Sequence, residues 1–473
     1  MDIVGRAAGL FGDLPALRVP GKTISFNECR KITEGIACRF LSQGLKHGDI
    51  VAVVSPNTPE TAMLLLGLLK AGLVAAPLNC RFPRHLIGQT VEKLRPRLLL
   101  TGPNEAFELP GIREASISKA IEESARCDAS GSEEPPEDPE RPVTVIHTSA
   151  STGSPKAALH SFSNHWHNAL GSNENIPLGP GDCWLLSLPF YHIGGYAVIF
   201  RALASGSSMA AGSPGENLAS SLKGFPVTHL SLVPTQLYRL LANPETAEML
   251  TGMKAILLGG SPAPKSLIEE AVQLGLPLYL SYGSTEMGSQ ISTTPGPVSG
   301  LQQDSGRILP FREVMEAVDG ELLVRGVCLF RGYLSGGELD TRRDGDGWFH
   351  TGDIGRVSED GRITVLGRKD NMFISGGENI HPEEVEKALM TIDGIMESIV
   401  VPVPDSEYGQ RPVAFIRTFV KNMPADSELD LLMKGLVGKL KAPVRYERVD
   451  EWAVLPGSQK TDRAFYRRLA LEP

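Results

Sequence analysis

Apolar residues along the chain fall into short unbroken runs separated by segments with helix-start signals. The run Asp49-Ile50-Val51-Ala52-Val53-Val54 predicts a strand that breaks at Ser55-Pro56-Asn57. Thr58-Pro59-Glu60 then supplies an N-cap, a proline at the first helical position and an early acid. Ser25-Phe26-Asn27-Glu28 fits a capping box at another helix start. The succession of strand, turn and helix recurs. Leu230-Ser231-Leu232-Val233 stops at Pro234-Thr235, Ala255-Ile256-Leu257-Leu258 at Gly259-Gly260-Ser261-Pro262, and Leu278-Tyr279-Leu280-Ser281-Tyr282 at Gly283. This alternation predicts an α/β fold of layered sheets and helices with substantially parallel strands, and open sheets of that kind hold ligands at polar turns on strand ends. The greasiest stretch, Ala62 to Ala76, is interrupted by Gly67, Lys70 and Gly72 and is shorter than the roughly 20 apolar residues of a membrane span, so a buried helix running into a strand is expected.

Two segments change the pattern. Ser130 to Pro142 is acidic and proline-rich and reads as a solvated excursion within one domain, because a β-rich run, Val143-Thr144-Val145-Ile146, resumes at once. After Gly367-Arg368-Lys369-Asp370 a separate succession of short strands and helices begins, about a hundred residues long, the size of an independent domain. The expected organisation is therefore a large N-terminal domain, 1–369, and a small mobile α+β C-terminal domain, 370–473.

Composition narrows the function. The chain has 473 residues, 41% of them hydrophobic and 21% charged, an ordinary globular mixture that excludes wholesale disorder. Lysine plus arginine number 46 against 55 acids, a net charge of -9, so no overall basic field exists to hold nucleic acid or an anionic membrane. Cys29, Cys38, Cys80, Cys127, Cys183 and Cys328 form no C-x-x-C pair, which predicts reduced thiols and a cytoplasmic protein. The opening residues lack a basic stretch followed by a continuous apolar one, so no cleaved secretory signal is expected.

The most informative chemistry lies in His147-Thr148-Ser149-Ala150-Ser151-Thr152-Gly153-Ser154-Pro155-Lys156. Small residues admit backbone N–H groups to an anion, hydroxyls donate to its oxygens and a lysine adds charge, which suits a polyphosphate. The segment is not a Walker A loop, since Ser154-Pro155 separate Gly153 from Lys156. Taken alone it also fits a plain polar turn with a solvated lysine. It is followed in order by Tyr282-Gly283-Ser284-Thr285-Glu286, His350-Thr351-Gly352-Asp353, Gly367-Arg368-Lys369-Asp370 and Ser375-Gly376-Gly377-Glu378-Asn379-Ile380.

Jointly these motifs resemble the adenylate-forming superfamily of acyl-CoA synthetases, luciferases and peptide-synthetase adenylation domains, over nearly the whole chain. Trp184 to His192, His229 to Leu237 and Leu257-Leu258-Gly259-Gly260 are most similar to the o-succinylbenzoate-CoA ligases of menaquinone biosynthesis. The resemblance implies an AMP-forming ligase that uses ATP, Mg2+ and coenzyme A on a small carboxylic acid, with a homo-oligomer left open. It implies that Thr148, Ser149, Ser151, Thr152, Gly153 and Lys156 hold the outer phosphates of ATP, with Ala150 where a glycine is usual. It places Glu286 on magnesium, Thr285 beside the α-phosphate, Gly259, Gly260 and Ser261 near adenine and the acyl pocket, and Tyr282 and Gly283 in the nucleotide site. Asp353 and Arg368 are implied to bind ribose, Asp370 to be the hinge, Gly376 and Gly377 to border the pantetheine path, and Lys460 to bridge the attacking carboxylate and the α-phosphate. The rival readings are a ligase for another aryl or fatty acid, a carrier-loading adenylation unit, and a nucleotide-binding regulator without turnover.

His192 and, close after it in the same motif, Arg201 are the acid-binding candidates. Arg201 stands alone in an apolar stretch, Tyr196 to Ala204, and the nearest acid downstream is Glu216, too distant for a helical i,i+4 pair. Such a guanidinium either snorkels to water, finds a distant partner or meets an anionic ligand. 2-Succinylbenzoate carries a second carboxylate that would need such a cation.

Overall fold

Strands and helices alternate as the apolar runs predict, in a computed structural model that describes residues 2–102, 106–127, 134–148, 155–300, 304–418, 424–455 and 461–472. Among these residues two large sheets form. One runs in spatial order Arg307–Ile308, Ser289–Thr293, Leu278–Ser284, Ala255–Leu258, His229–Leu232, Cys183–Leu185, Ser208–Ala210, Pro15–Val19, Lys22–Ser25. The other runs Glu338–Asp340, Gly332–Ser335, Ala157–Ser161, Pro142–His147, Val74–Leu78, Ile50–Val54, Leu98–Thr101, Glu114–Ser116. Interior pairings such as Ile50–Val54 with Val74–Leu78 and His229–Leu232 with Ala255–Leu258 are parallel, whereas Leu278–Ser284 and Pro142–His147 each take an antiparallel neighbour.

The period of two along a strand decides how the layers stack. Val51, Val53, Leu98 and Leu100 of one sheet and Leu17, Trp184, Met209 and Leu257 of the other enter a single core, filled between them by the helices Phe26–Ser42, Pro59–Lys70 and Ile193–Ser205. Their neighbours face outward. Ala52, Val54 and Val74 cluster with residues of the helix Arg84–Leu94, and Leu230, Leu232, Ile256 and Leu258 with those of Pro234–Leu241 and Lys265–Gln273. Helix, sheet, helix, sheet, helix is the result, the expected α/β layering. A four-stranded antiparallel sheet over 312–368 follows. Beyond it Ile395–Asp405 pairs with Gly409–Thr418, which pairs in turn with Tyr446–Arg448, and these strands pack against the helices Pro382–Leu389 and Asp426–Val437 around a separate apolar cluster, an α+β arrangement.

The predicted caps form. Ser25 Oγ accepts from the Glu28 N–H while Glu28 accepts from the Ser25 N–H, and Thr58 caps the helix Pro59–Lys70. That helix is buried from Thr61 to Lys70, each buried leucine contributing roughly 2 kcal/mol. Lys70 is accommodated because its ammonium meets Asp2 at 2.6 Å and Glu134 at 2.7 Å. Burial alone would lower its proton affinity; the two carboxylates more than offset this and leave it raised. The acidic excursion is thus pinned at Glu134 and at the buried Arg141, rather than solvated throughout as its composition predicts. Its residues 130–133 lie outside the described residues. One further expectation needs correction: Leu278–Ser284 does not stop at Gly283. The hydroxyl-rich segment after His147 joins two antiparallel strands, Pro142–His147 and Ala157–Ser161. No described helix is long and apolar enough to cross a membrane.

A cluster of neutral histidines sits in the core. His165 Nε2 and Thr144 Oγ1 are 2.6 Å apart, and the His160 ring lies tilted with its centre 5.0 Å from that of His165, neither of its nitrogens hydrogen-bonded among the described residues. Burial pushes His160 down to about 3 and His165 well below its ordinary value. The unfolded chain protonates near 6.5 and the folded chain does not, so stability is intact above pH 6.5 and falls as pH drops from there toward 3. His160→Leu should therefore narrow the difference in unfolding free energy between about pH 7 and about pH 5 by about 2 kcal/mol, read from urea titrations at both values. An unchanged difference would mean that His160 takes up a proton in the folded state.

Candidate active site

The strand Leu278–Ser284 and its antiparallel neighbour Ser289–Thr293 organise the site. Their register slips between Tyr282 and Gly283, and the Gly283 Cα approaches the Ser289 carbonyl so closely that a Cβ would lie 2.0 Å from that oxygen. Ser289 adopts φ +131°, an unusual value for a residue with a side chain, at a cost of about 1–3 kcal/mol. The turn between the strands carries Thr285 and Glu286 and is closed by Gly288 N–H donating to the Thr285 carbonyl at 3.1 Å.

Three clusters meet around this turn. In the first, the Tyr333 hydroxyl donates to Glu286 Oε1 at 2.5 Å and Lys156 Nζ stands 5.1 Å from the Tyr333 ring centre. Burial, then the Glu286 charge, raises the Tyr333 hydroxyl, keeping it a donor. Lys156 is held at the base of its hairpin by Thr148, whose N–H donates to the Lys156 carbonyl at 2.9 Å. Ser149, Ala150, Ser151, Thr152 and Gly153 lie outside the described residues. No group of three or more His, Cys, Asp or Glu among the described residues could enclose a metal. Half-exposed Glu286 therefore fits Mg2+ only as a single oxygen ligand of an ion otherwise held by phosphates and water.

The second cluster joins Tyr282 to the ribose candidates. Tyr282 OH donates to Asp353 Oδ2 at 2.6 Å, and Arg368 bonds Asp353 Oδ1 at 3.0 Å and the Thr351 carbonyl at 2.8 Å. Burial and the adjacent Asp353 carboxylate raise Tyr282 well above its ordinary value. Behind it, nearly buried Glu321 accepts from Gly352 N–H at 2.9 Å and from Lys369 Nζ at 2.9 Å, and Lys369 also meets Asp319 at 2.7 Å. Asp370, in the short turn Lys369–Asn371, lies 3.4 Å from Arg368. On the other side of Tyr282, Gly259 and Gly260 leave the strand Ala255–Leu258 tight against the neighbouring backbone. A Cβ on Gly259 would meet the Ser281 carbonyl at 3.2 Å, Gly260 takes φ +86°, and Ser261 follows exposed.

The third cluster surrounds Arg201, on the helix Ile193–Ser205 and fully buried. Its Nη2 donates to Ser289 Oγ at 3.2 Å and its guanidinium lies 5.2 Å from the Trp184 ring centre. No described carboxylate pairs with it, and Nε and Nη1 have no hydrogen-bond partner among the described residues. Burial, with a smaller contribution from Arg312, pushes its pKa down to about 9. His192 immediately precedes the same helix, without a side-chain capping bond, and lines a cleft with His147, Thr148 and Pro155. Nine residues of helix separate it from Arg201 by about 14 Å.

Gly376 and Gly377 form the tight turn between Phe373–Ser375 and Glu378–Ile380 with φ +55° and +84°, so hairpin geometry alone already requires them. Lys460 lies outside the described residues. Sequence reasoning missed Tyr333, Glu321 and Lys369, whose partners are remote in the chain.

Residues 4–334 match the model of the AMP-binding enzymes, and 384–459 that of the AMP-binding enzyme C-terminal domain. The chain belongs to the AMP-binding enzyme family. Among curated members of this family it is 35% identical to the 2-succinylbenzoate–CoA ligase of Salmonella typhimurium, over 97% of this chain and 94% of that protein, and 34% identical to the Escherichia coli enzyme of the same name, over 98% and 95%. Solved structures of family members superpose over its full length. One is E. coli MenE with bound OSB-AMS, at a TM-score of 0.84 and 30% identity over 99% of this chain and 98% of that one. Another is the Bacillus subtilis o-succinylbenzoate CoA synthetase in complex with the acyl-adenylate intermediate OSB-AMP, at 0.86 and 26% over 98% of each.

If the Gly283 approach sets the family's nucleotide turn, Gly283→Ala should force the two strands apart. The expected cost is roughly 1–3 kcal/mol, with weaker ATP binding alongside. A urea midpoint and an ATP titration equal to wild type would show that the strands yield without moving the turn.

Proposed function

We propose that this chain joins 2-succinylbenzoate to coenzyme A at the expense of ATP, through an acyl-adenylate, in menaquinone biosynthesis. The observation that carries the reading is Arg201: a buried guanidinium with no carboxylate partner among the described residues, reached through Ser289 from the turn that holds Thr285 and Glu286. It suits the second carboxylate of this acid, and bidentate geometry favours arginine for the task. Full-length similarity to ligases of that name supports the same choice.

The succinyl carboxylate oxygen attacks the α-phosphorus of ATP, and the bond to the β-phosphate oxygen breaks with release of pyrophosphate. The sulfur of CoA then attacks the acyl carbon, its proton passes to solvent, and the C–O bond to AMP breaks to leave the thioester. Both steps need positioning and charge neutralisation rather than a nucleophilic side chain. Magnesium, when bound, neutralises phosphate charge. Glu286 would hold it, oriented by Tyr333, while Lys156, Thr148 and the segment Ser149 to Gly153 take the outer phosphates. Thr285 faces the α-phosphate, Asp353 accepts from the ribose hydroxyls with Arg368 fixing its rotamer, and Gly259, Gly260 and Ser261 flank the base. His192 lines the acyl path. We place the domain boundary at 369/370, with Asp370 as the pivot that brings Lys460 in for the first step and the Gly376-Gly377 turn toward CoA for the second. Six thiols free of disulfides and a need for ATP and CoA fit the cytoplasm.

Two substitutions test separate parts of this assignment. Lys460→Ala should slow adenylate formation by about a hundredfold or more, yet leave thioester formation from supplied acyl-adenylate nearly intact; equal loss in both half-reactions would remove its special role. Arg201→Leu should abolish most turnover of 2-succinylbenzoate while sparing ATP binding. Full activity of that variant, or a wild-type preference for simple monocarboxylates, would turn the reading to a ligase for another acid.

A further inference from the structure

Arg201 is not the only cation behind the nucleotide turn. Arg312, 6% exposed, donates through Nε to the Pro310 carbonyl at 3.0 Å and through Nη1 to the Gln290 carbonyl. Since Arg201 bonds Ser289, the two guanidinium groups are anchored to consecutive residues of one strand. They are near enough that Arg312 weakens the hold of Arg201 on its proton. No described carboxylate pairs with either. The ionisable group bonded to Arg312 is the Cys328 thiol, which burial pushes up and so keeps neutral. Nε and Nη1 of Arg201 and Nη2 of Arg312 have no hydrogen-bond partner among the described residues. The helix Phe162–Asn175 makes room for the second guanidinium at Gly171, where a Cβ would lie 2.9 Å from Arg312 Nη2.

Two like charges buried side by side are costly, and an apolar side chain of similar volume would fill the space at no such cost. An anion delivered between the strand and the helix Ile193–Ser205 would relieve that repulsion and be attracted by both groups. We propose that Arg312 is a specificity-determining residue that, with Arg201, gives the acyl end of the site a double positive charge and so selects an acid with an ionised second carboxylate over a monocarboxylate of the same shape. The proposal rests on the functional reading above. Because the second carboxylate keeps its charge through both chemical steps, its attraction is equal in ground and transition states and belongs in KM, not kcat.

The experiment compares 2-succinylbenzoate with 4-oxo-4-phenylbutanoate, which lacks the ring carboxylate, at saturating ATP and CoA. Arg312→Met should raise KM for the dicarboxylate by about tenfold or more with kcat within about twofold, and leave KM for the monocarboxylate unchanged or lower. Arg312→Lys should recover most of the preference. Arg312→Gln, which keeps an N–H donor for the Gln290 carbonyl, is read in the same way as Arg312→Met and decides the matter if the methionine variant fails to fold. A rise in KM of equal size for both acids, or an unchanged ratio between them, overturns the role of Arg312 while a wild-type preference for the dicarboxylate leaves the functional reading standing. A wild-type enzyme that prefers the monocarboxylate rejects that reading itself.

Discussion

One irregular strand pairing holds the site together. The slip between Tyr282 and Gly283 against Ser289 and Gln290 directs four groups at once: the Tyr282 hydroxyl to Asp353, the Thr285–Glu286 turn to Tyr333, Ser289 Oγ to Arg201, and the Gln290 carbonyl to Arg312. Only glycine permits the approach at 283. The unfavourable φ of Ser289 is held in place by the surrounding sheets, as strained backbone at functional sites generally is. In the proposed assignment the nucleotide and acid halves of the site thus share a single piece of backbone, and a shift in one reaches the other without a side-chain relay.

The layered fold was legible because it follows from local periodicity. A strand such as Ile50–Val54 is apolar at every position since both its faces are covered, and Ser25 with Glu28 announces a helix by chemistry confined to four residues. The candidate site was legible where motif residues are contiguous, as in Tyr282 to Glu286. It was not legible where partners come from distant segments. Nothing around Tyr333 tells of Glu286, and Glu321 joins Gly352 to Lys369 across three strands of an antiparallel sheet. Arg201 was suspicious in the sequence for its isolation, yet only burial distinguishes a guanidinium that snorkels from one that is trapped. The misplaced strand end at Gly283 has a related cause: glycine marks both turns and bulges, and the intervening geometry decides which.

Cations are partnered unequally across the fold. Lys70 and Lys369 each have two carboxylates within salt-bridge distance, and Arg368 has Asp353 and Asp370. These pairs brace the fold and the boundary region. Among the described residues Arg201 and Arg312 meet only uncharged partners, a difference that separates cations serving the architecture from cations available to a ligand.

The contact between Arg201 and Trp184 has an optical consequence. Trp184 is almost wholly buried, its indole N–H donates to Ser231 Oγ at 3.1 Å, and the guanidinium lies over its ring. An indole excited in so fixed an electrostatic field emits at a wavelength that depends on the charge above it, and an anion settling on Arg201 would cancel part of that charge. Under the proposed role of Arg201 the protein therefore carries its own fluorophore beside the acid, set to report its arrival before any bond has changed.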